Sequence, residues 1–326
     1  MRKLLIGLLG VLVAVGALAA ADSLVVGTSN PPPATVPATD EAVEKEYKKL
    51  LEADDAAQAE VDQWIRENDE AAAKGAGVPS ADLQRRIRDR FAPIREAYAD
   101  FVRRHPSHAR ARVAFGSFLN DLHDEDAAQE QWEKALALDS KDPAAYNNLA
   151  NLYSHTGPIS KSFEYYGKAI ELNPQEPLYY RNLGDVVYLF RKDSMKFYDL
   201  TEQQVYDKGL ELYRKALKLD PDNFPLASDV AQTYYGIKPL RLEDALNAWT
   251  NTLAIAHDEI EREGVYLHFA RLKLQADRFA EVRAHLNAVT NDMYTVLKKR
   301  LVRNLDEQER KANGTNQPPV PTGKQP

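Results

Sequence analysis

The chain has no cysteine, which excludes disulfides and thiolate metal sites and leaves buried area as its source of stability. Glycine is sparse, 15 residues in 326, beside abundant Ala, Leu, Lys and Glu, a balance that suits helices. Excess positive charge is missing too. The formal net charge is −7, which disfavours nucleic acid or an anionic membrane as a general partner and fits soluble proteins better. The seven histidines give no pair on one helix face with a carboxylate between them; His105 and His108 flank a helix junction, and His123 sits in a turn. Glycine-rich phosphate loops, nucleophile elbows and zinc-protease helices are all missing. The expectation is a chain that is no enzyme and takes no cofactor and no metal.

The long apolar run lies at the start. After Met1-Arg2-Lys3 the chain is apolar from Leu4 to Ala21 and ends in small residues, which reads as a secretory signal peptide over 1–21. Left uncut, this leader would be a single tether, the only contact with a membrane that the sequence suggests. Export follows as an expectation, to the periplasm of a Gram-negative cell or as a secreted protein elsewhere. Residues 22–40, with Pro31-Pro32-Pro33 and Pro37, form a proline-rich linker, and 312–326 form a disordered tail with four prolines.

Between 41 and 106 two apolar stripes of helical spacing follow each other, Val43, Tyr47, Leu50, Ala57, Val61 and Trp64, then Leu83, Ile87, Phe91, Ile94, Tyr98 and Phe101. The break at 74–79 predicts an antiparallel helical hairpin. Pro93 predicts a kink near Phe91.

Three segments then repeat one another: Lys134-Ala135-Leu136-Ala137-Leu138-Asp139, Lys168-Ala169-Ile170-Glu171-Leu172-Asn173-Pro174, and Lys215-Ala216-Leu217-Lys218-Leu219-Asp220-Pro221. Ala135 and Ala169 are 34 residues apart, the length of two short helices and two turns, so the units stack rather than form one globular core. In the clearest unit Asp142-Pro143 starts a helix with the face Tyr146, Leu149, Ala150 and Tyr153. After His155-Thr156-Gly157-Pro158 a second helix presents Ile159, Ser162, Phe163, Tyr166, Ala169 and Ile170. This pattern resembles the tetratricopeptide repeat. Units with Phe115-Gly116, Leu119, Ala128 and Trp132, with Tyr180, Leu183-Gly184 and Tyr213, with Val230-Ala231, Tyr234 and Trp249, and with Tyr266, Phe269-Ala270 and Leu286 extend the resemblance over 107–289 as four to five units. It implies an all-α fold, an α-solenoid in which stacked helix-turn-helix units wind into a right-handed superhelix, here preceded by the hairpin. Residues 290–311, with Met293, Leu297, Leu301 and Leu305 on one stripe and Lys298, Lys299, Arg300 and Arg303 around it, suit a capping helix.

One step is longer than the others. From Ala169 to Ala216 is 47 residues, and the surplus at 188–200 predicts an aromatic-rich loop, followed by a helix over 202–219 that Thr201 and Gln204 cap. Such an insert either belongs to a binding surface or covers the longer helix.

The resemblance implies that the first helix of each unit lines a concave surface that holds a partner. On the helix from Ala144 to His155, the face away from the apolar residues carries Asn147, Asn148 and Asn151, unusual because asparagine is a mediocre helix former. Arg181, Asn182 and Asp185 follow on the next such helix, and Ser228 and Gln232 on the one after. Their amides donate and accept as a peptide backbone does. Asn148 and Asn182 resemble a ladder of asparagines that grips extended peptides. Asn151 with Asn182 resembles half of a carboxylate clamp, whose remaining positions hold Val113, Pro225 and Asp229 instead of cations. The expected function is therefore a non-enzymatic, exported scaffold that binds an extended or helical segment of another protein. A second reading makes the chain a structural homo-oligomer of the cell envelope, self-associating through the apolar stripe of the hairpin.

Overall fold

The computed structural model describes residues 41–314, which form fourteen α-helices and no strand. The leader, the linker and all of the tail beyond 314 lie outside the described residues. The helices fall into two compact units, α1 to α9 and α10 to α14, each taken by itself.

In the first unit α1 (Glu41–Ala73) and α2 (Ser80–Arg104) pair antiparallel. Arg104 binds Glu46 at one end, the Tyr98 hydroxyl donates to Asp54 at 2.7 Å, and Arg90 meets Glu60 at 2.7 Å further along. The Arg86 guanidinium lies 3.6 Å from the centre of the Trp64 ring. Helix α2 runs through Pro93 without interruption. The stripes meet as the spacing predicts, but Tyr47, Leu50, Ala57 and Val61 are buried and share one core with Phe101, Phe115, Phe118 and Trp132. That corrects the second reading on one point. The stripe is consumed inside the chain and is not left for self-association.

Helices α3 (Ala109–Asp121), α4 (Glu125–Leu138), α5 (Pro143–Thr156), α6 (Ile159–Leu172), α7 (Pro177–Leu189) and α9 (Glu202–Leu219) then stack as successive antiparallel pairs, each against the next. Local signals set their starts. The Asp142 carboxylate accepts from the Ala144 and Ala145 amides at 2.9 and 3.0 Å, and Pro143 needs no partner at the first helical position. Small residues set how closely the helices approach. A Cβ on Gly116 would lie 2.4 Å from the Trp132 indole nitrogen, and one on Gly184 would lie 2.8 Å from the Tyr213 ring. Ala150 stands midway between these glycines in sequence and is fully buried. Ala135, Ala169 and Ala216 are likewise fully buried, where any larger side chain would force helices apart.

The surplus residues are not the loop that their aromatic composition suggests. They form a short helix, α8 (Arg191–Tyr198), that ends on left-handed Asp199. Ser194 is fully buried and donates to the Val187 carbonyl at 3.1 Å, while Phe197 and Tyr198 lay their rings 5.1 and 5.4 Å from Phe163 of α6. The Lys208 ammonium of α9 lies 4.2 Å from the centre of the Tyr198 ring. The insert covers α6 and α9. The capping pair at Thr201 and Gln204 forms as the sequence indicates, with Thr201 N donating to Gln204 at 2.9 Å.

In the second unit α10 (Phe224–Thr233) pairs with α11 (Leu242–Ala254), and α12 (Glu259–Leu274) with α13 (Phe279–Ala288). Ala231, Ala245 and Trp249 pack with Val265, Phe269 and Leu272. After a 3-10 turn at Asp292–Tyr294, α14 (Thr295–Ala312) turns Leu301 and Leu305 inward against Leu267, Leu274 and Leu286 and leaves Lys299, Arg300 and Arg303 exposed.

Candidate functional site

The 34-residue period places Asn148 and Asn182 at equivalent positions on α5 and α7, and Ser117, Asn151 and Asp185 at equivalent positions on α3, α5 and α7. Three of these side chains, Ser117, Asn148 and Asn182, join with Asn147 into one hydrogen-bonded row. The Asn182 amide donates to Asn147 at 2.9 Å, Asn147 donates to Asn148 at 3.3 Å, Asn148 donates to the Ser117 hydroxyl at 3.1 Å, and Ser117 donates to the Val113 carbonyl at 3.2 Å. The row thus crosses three successive first helices.

Burial divides the residues expected to meet a partner. Asn147 and Asn148 are only 3% and 4% exposed, so they are not an open polar face; their amides are spent on one another and on the neighbouring helices. A buried amide must find such partners or lose its hydration without compensation. Asn151, Arg181, Asn182 and Asp185 are half-buried and remain at the surface of α5 and α7. In the other unit Ser228 is half-buried and Gln232 exposed, one turn apart on α10.

Two of the half-buried residues are fixed from behind by second-helix tyrosines. Tyr166 of α6 donates its hydroxyl to Asn151, and Tyr213 of α9 donates to Asp185 at 2.6 Å. Burial, with a smaller contribution from the Asp185 charge, pushes the Tyr166 phenol well above its ordinary pKa, so it stays a hydroxyl donor. In the preceding unit Trp132 takes the place of Tyr166 and donates to the Val113 carbonyl at 3.1 Å. Sequence reasoning did not single out Ser117, Tyr166 or Tyr213 as parts of the site. A signal was available for two of them, because Ser117 stands 34 residues before Asn151 and Tyr166 stands 34 residues after Trp132.

Amides and the Asp185 carboxylate are held on consecutive helices by one another and by the Ser117, Tyr166 and Tyr213 hydroxyls. Among the described residues no group of three or more His, Asp or Glu side chains is placed to hold a metal ion, and no helix is long and apolar enough to cross a membrane.

In each unit the fold is an all-helical stack of antiparallel helix pairs. The family profile described as tetratricopeptide repeat matches residues 132–159, from Trp132 in α4 to the first residue of α6. The photosystem I assembly protein Ycf3 of Rippkaea orientalis is 27% identical over 133 residues, 36% of this chain and 74% of that protein. The Hsp70-Hsp90 organizing protein 2 of Arabidopsis thaliana is 29% identical over 103 residues, 32% of this chain and only 16% of its own length. Among solved structures, YrrB, described as a tetratricopeptide repeat protein with an unusual peptide-binding site, aligns at a TM-score of 0.47 and 13% identity over 66% of this chain and 99% of its own.

Proposed function

We propose that the chain is a non-enzymatic scaffold that holds a segment of a partner protein along the surface of α5 and α7. The observation that carries this reading is the hydrogen-bonded row from Ser117 to Asn182, which ties three repeat units together beneath the half-buried Asn151, Arg181 and Asp185. A surface ordered before binding loses little entropy when a segment docks on it. Similarity to proteins named for assembly and organizing roles agrees with such a scaffold. Export belongs to the same proposal and rests on the apolar run of 4–21.

The test is a photo-crosslinking residue placed at Arg181 and, as control, at Glu164 on the exposed side of α6, in cells that make the chain naturally. A single protein crosslinked from position 181 and not from 164, and lost when Asp185→Lys is added, is the expected result. Equal labelling from both positions overturns the placement. Sequencing the amino terminus of the mature chain tests export, with a start just after Ala21 expected.

A further inference from the structure

Helix α14 borders an open cleft of about 890 Å³ whose rim carries Lys299, Arg303, Asp306 and Arg310 above Val289 and Val302. Arg303, Asp306 and Arg310 are three and four residues apart, so they form one stripe, and seven residues of helix separate its ends by about 10 Å. The stripe reads plus, minus, plus. Arg283 ties to Asp306 at 3.5 Å but also binds Glu309, so Asp306 is exchangeable at small cost.

Among the described helices α1 carries the largest excess of negative charge, with eleven carboxylates to four cations. Most of its carboxylates toward α2 or α3 are engaged, as Glu46 with Arg104, Asp54 with Tyr98 and Glu60 with Arg90. The Asp62, Arg66 and Asp69 side chains make no ion pair among the described residues; Arg66 and Asp69 are exposed and Asp62 is half-buried. They are four and three residues apart and read minus, plus, minus.

We propose that the α14 cleft takes α1 of a second copy of this chain, antiparallel, with Arg310 on Asp62, Asp306 on Arg66 and Arg303 on Asp69. The spacings four and three on α1 mirror three and four on α14 only in this direction, so all three contacts form in a single register. The same register carries Val296, 82% exposed, to the α1–α2 turn, where Val78 is 54% exposed. Two apolar side chains left in water thus meet beside the charge pattern. Because each copy has one stripe of each kind, two copies can exchange both contacts, or the contact can repeat from copy to copy.

The experiment uses two reversed forms of the full chain, one carrying Arg303→Asp, Asp306→Arg and Arg310→Asp, the other carrying Asp62→Arg, Arg66→Asp and Asp69→Arg. Arg66, Asp69, Arg303 and Asp306 are exposed and Asp62 and Arg310 half-buried, and circular dichroism checks that both forms fold. Sedimentation at low ionic strength should show wild-type association that weakens with added salt. Each reversed form alone brings like charges together and should associate about tenfold more weakly. An equal mixture restores every opposite pair and should recover the wild-type value. A monomeric wild type overturns the proposal and leaves the cleft to an acidic segment of some other protein. Unchanged association of either reversed form, or a mixture no tighter than its parts, also overturns it.

Discussion

The two units use the same helix pairs but place their buried polar groups differently. In α3 to α9 the polar side chains reach from one repeat to the next, Ser117 to Asn148 and Asn147 to Asn182, so the hydrogen bonds run along the stack. In α10 to α14 one buried acid clips a loop, and one histidine joins the α12–α13 pair to the α10–α11 pair. Glu263, 4% exposed, accepts from the Thr290 hydroxyl and the Asn291 amide, both at 2.7 Å, and so fixes the turn that leads to α14. Burial would raise the Glu263 pKa, but those donors outweigh it and hold the carboxyl below its usual range. His268 stacks on Trp249 with ring centres 3.8 Å apart and meets the Tyr235 hydroxyl at 3.0 Å. The first arrangement makes a regular surface; the second secures an irregular end. Repeat identity along a stack is what permits a ladder, since a side chain finds its partner only if the next unit arrives at a fixed distance.

Substitutions at glycine should separate the units most sharply. Gly184→Val would push a branched side chain into the Tyr213 ring and should cost the first unit about 3 kcal/mol, whereas Gly264→Ala meets only the Tyr294 hydroxyl at 2.9 Å and should cost under about 1 kcal/mol. Urea denaturation of the two variants measures the difference, and equal losses would mean that helix approach is no tighter in the repeats.

Removing the buried acid comes next. Glu263→Ala leaves the Thr290 hydroxyl and the Asn291 amide without their acceptor and should destabilise the second unit by about 2 kcal/mol. Fluorescence of Trp249, the one tryptophan of that unit, follows its unfolding. A midpoint that does not move would remove Glu263 from the account of the turn.

Asn148→Ala interrupts the row between Ser117 and Asn147 and should cost about 1 to 2 kcal/mol, with partner crosslinking from position 181 reduced as well. Loss of stability with crosslinking intact would make the row purely structural.

The smallest effect is a pH slope confined to the second unit. Burial, and next to it the Arg271 charge, holds the His268 imidazole down to about 3 from an ordinary 6.5, so it stays neutral in the folded chain while the unfolded chain protonates it. Its contribution is complete above pH 6.5 and is lost as pH falls toward 3, by about 1 kcal/mol for the first unit of acidification. His268→Phe should flatten that slope in denaturation curves followed at Trp249. A slope identical to wild type would assign the acid sensitivity to other groups.

Much of the fold was legible because it depends on local pattern. Asp142-Pro143 and Thr201 with Gln204 start helices through contacts within four residues, and the 34-residue recurrence of small positions at Gly116, Ala150 and Gly184 marks where helices touch. The insert misled because Phe197 and Tyr198 carry no periodic stripe of their own, and α8 is held mainly by packing on Phe163 and by buried Ser194. Of the candidate site the sequence carried the residue types and their helices, but not which side chains the next unit covers: Asn147 and Asn148 are buried, Asn151 and Asn182 half-buried. Nothing in Asn147-Asn148 distinguishes an amide that meets water from one that meets Asn182 of the next unit.

By itself the sequence determined the helix pairs, their period and the chemistry carried on each first helix, since all three follow from spacing and residue type within one unit. Only the tertiary structure decided that the hairpin stripe is sealed inside the chain, that Asn147 and Asn148 are interior struts and that Arg303, Asp306 and Arg310 rim a cleft. The physical reason is that exposure belongs to the neighbours a side chain acquires, and those neighbours come from residues 30 or more positions away.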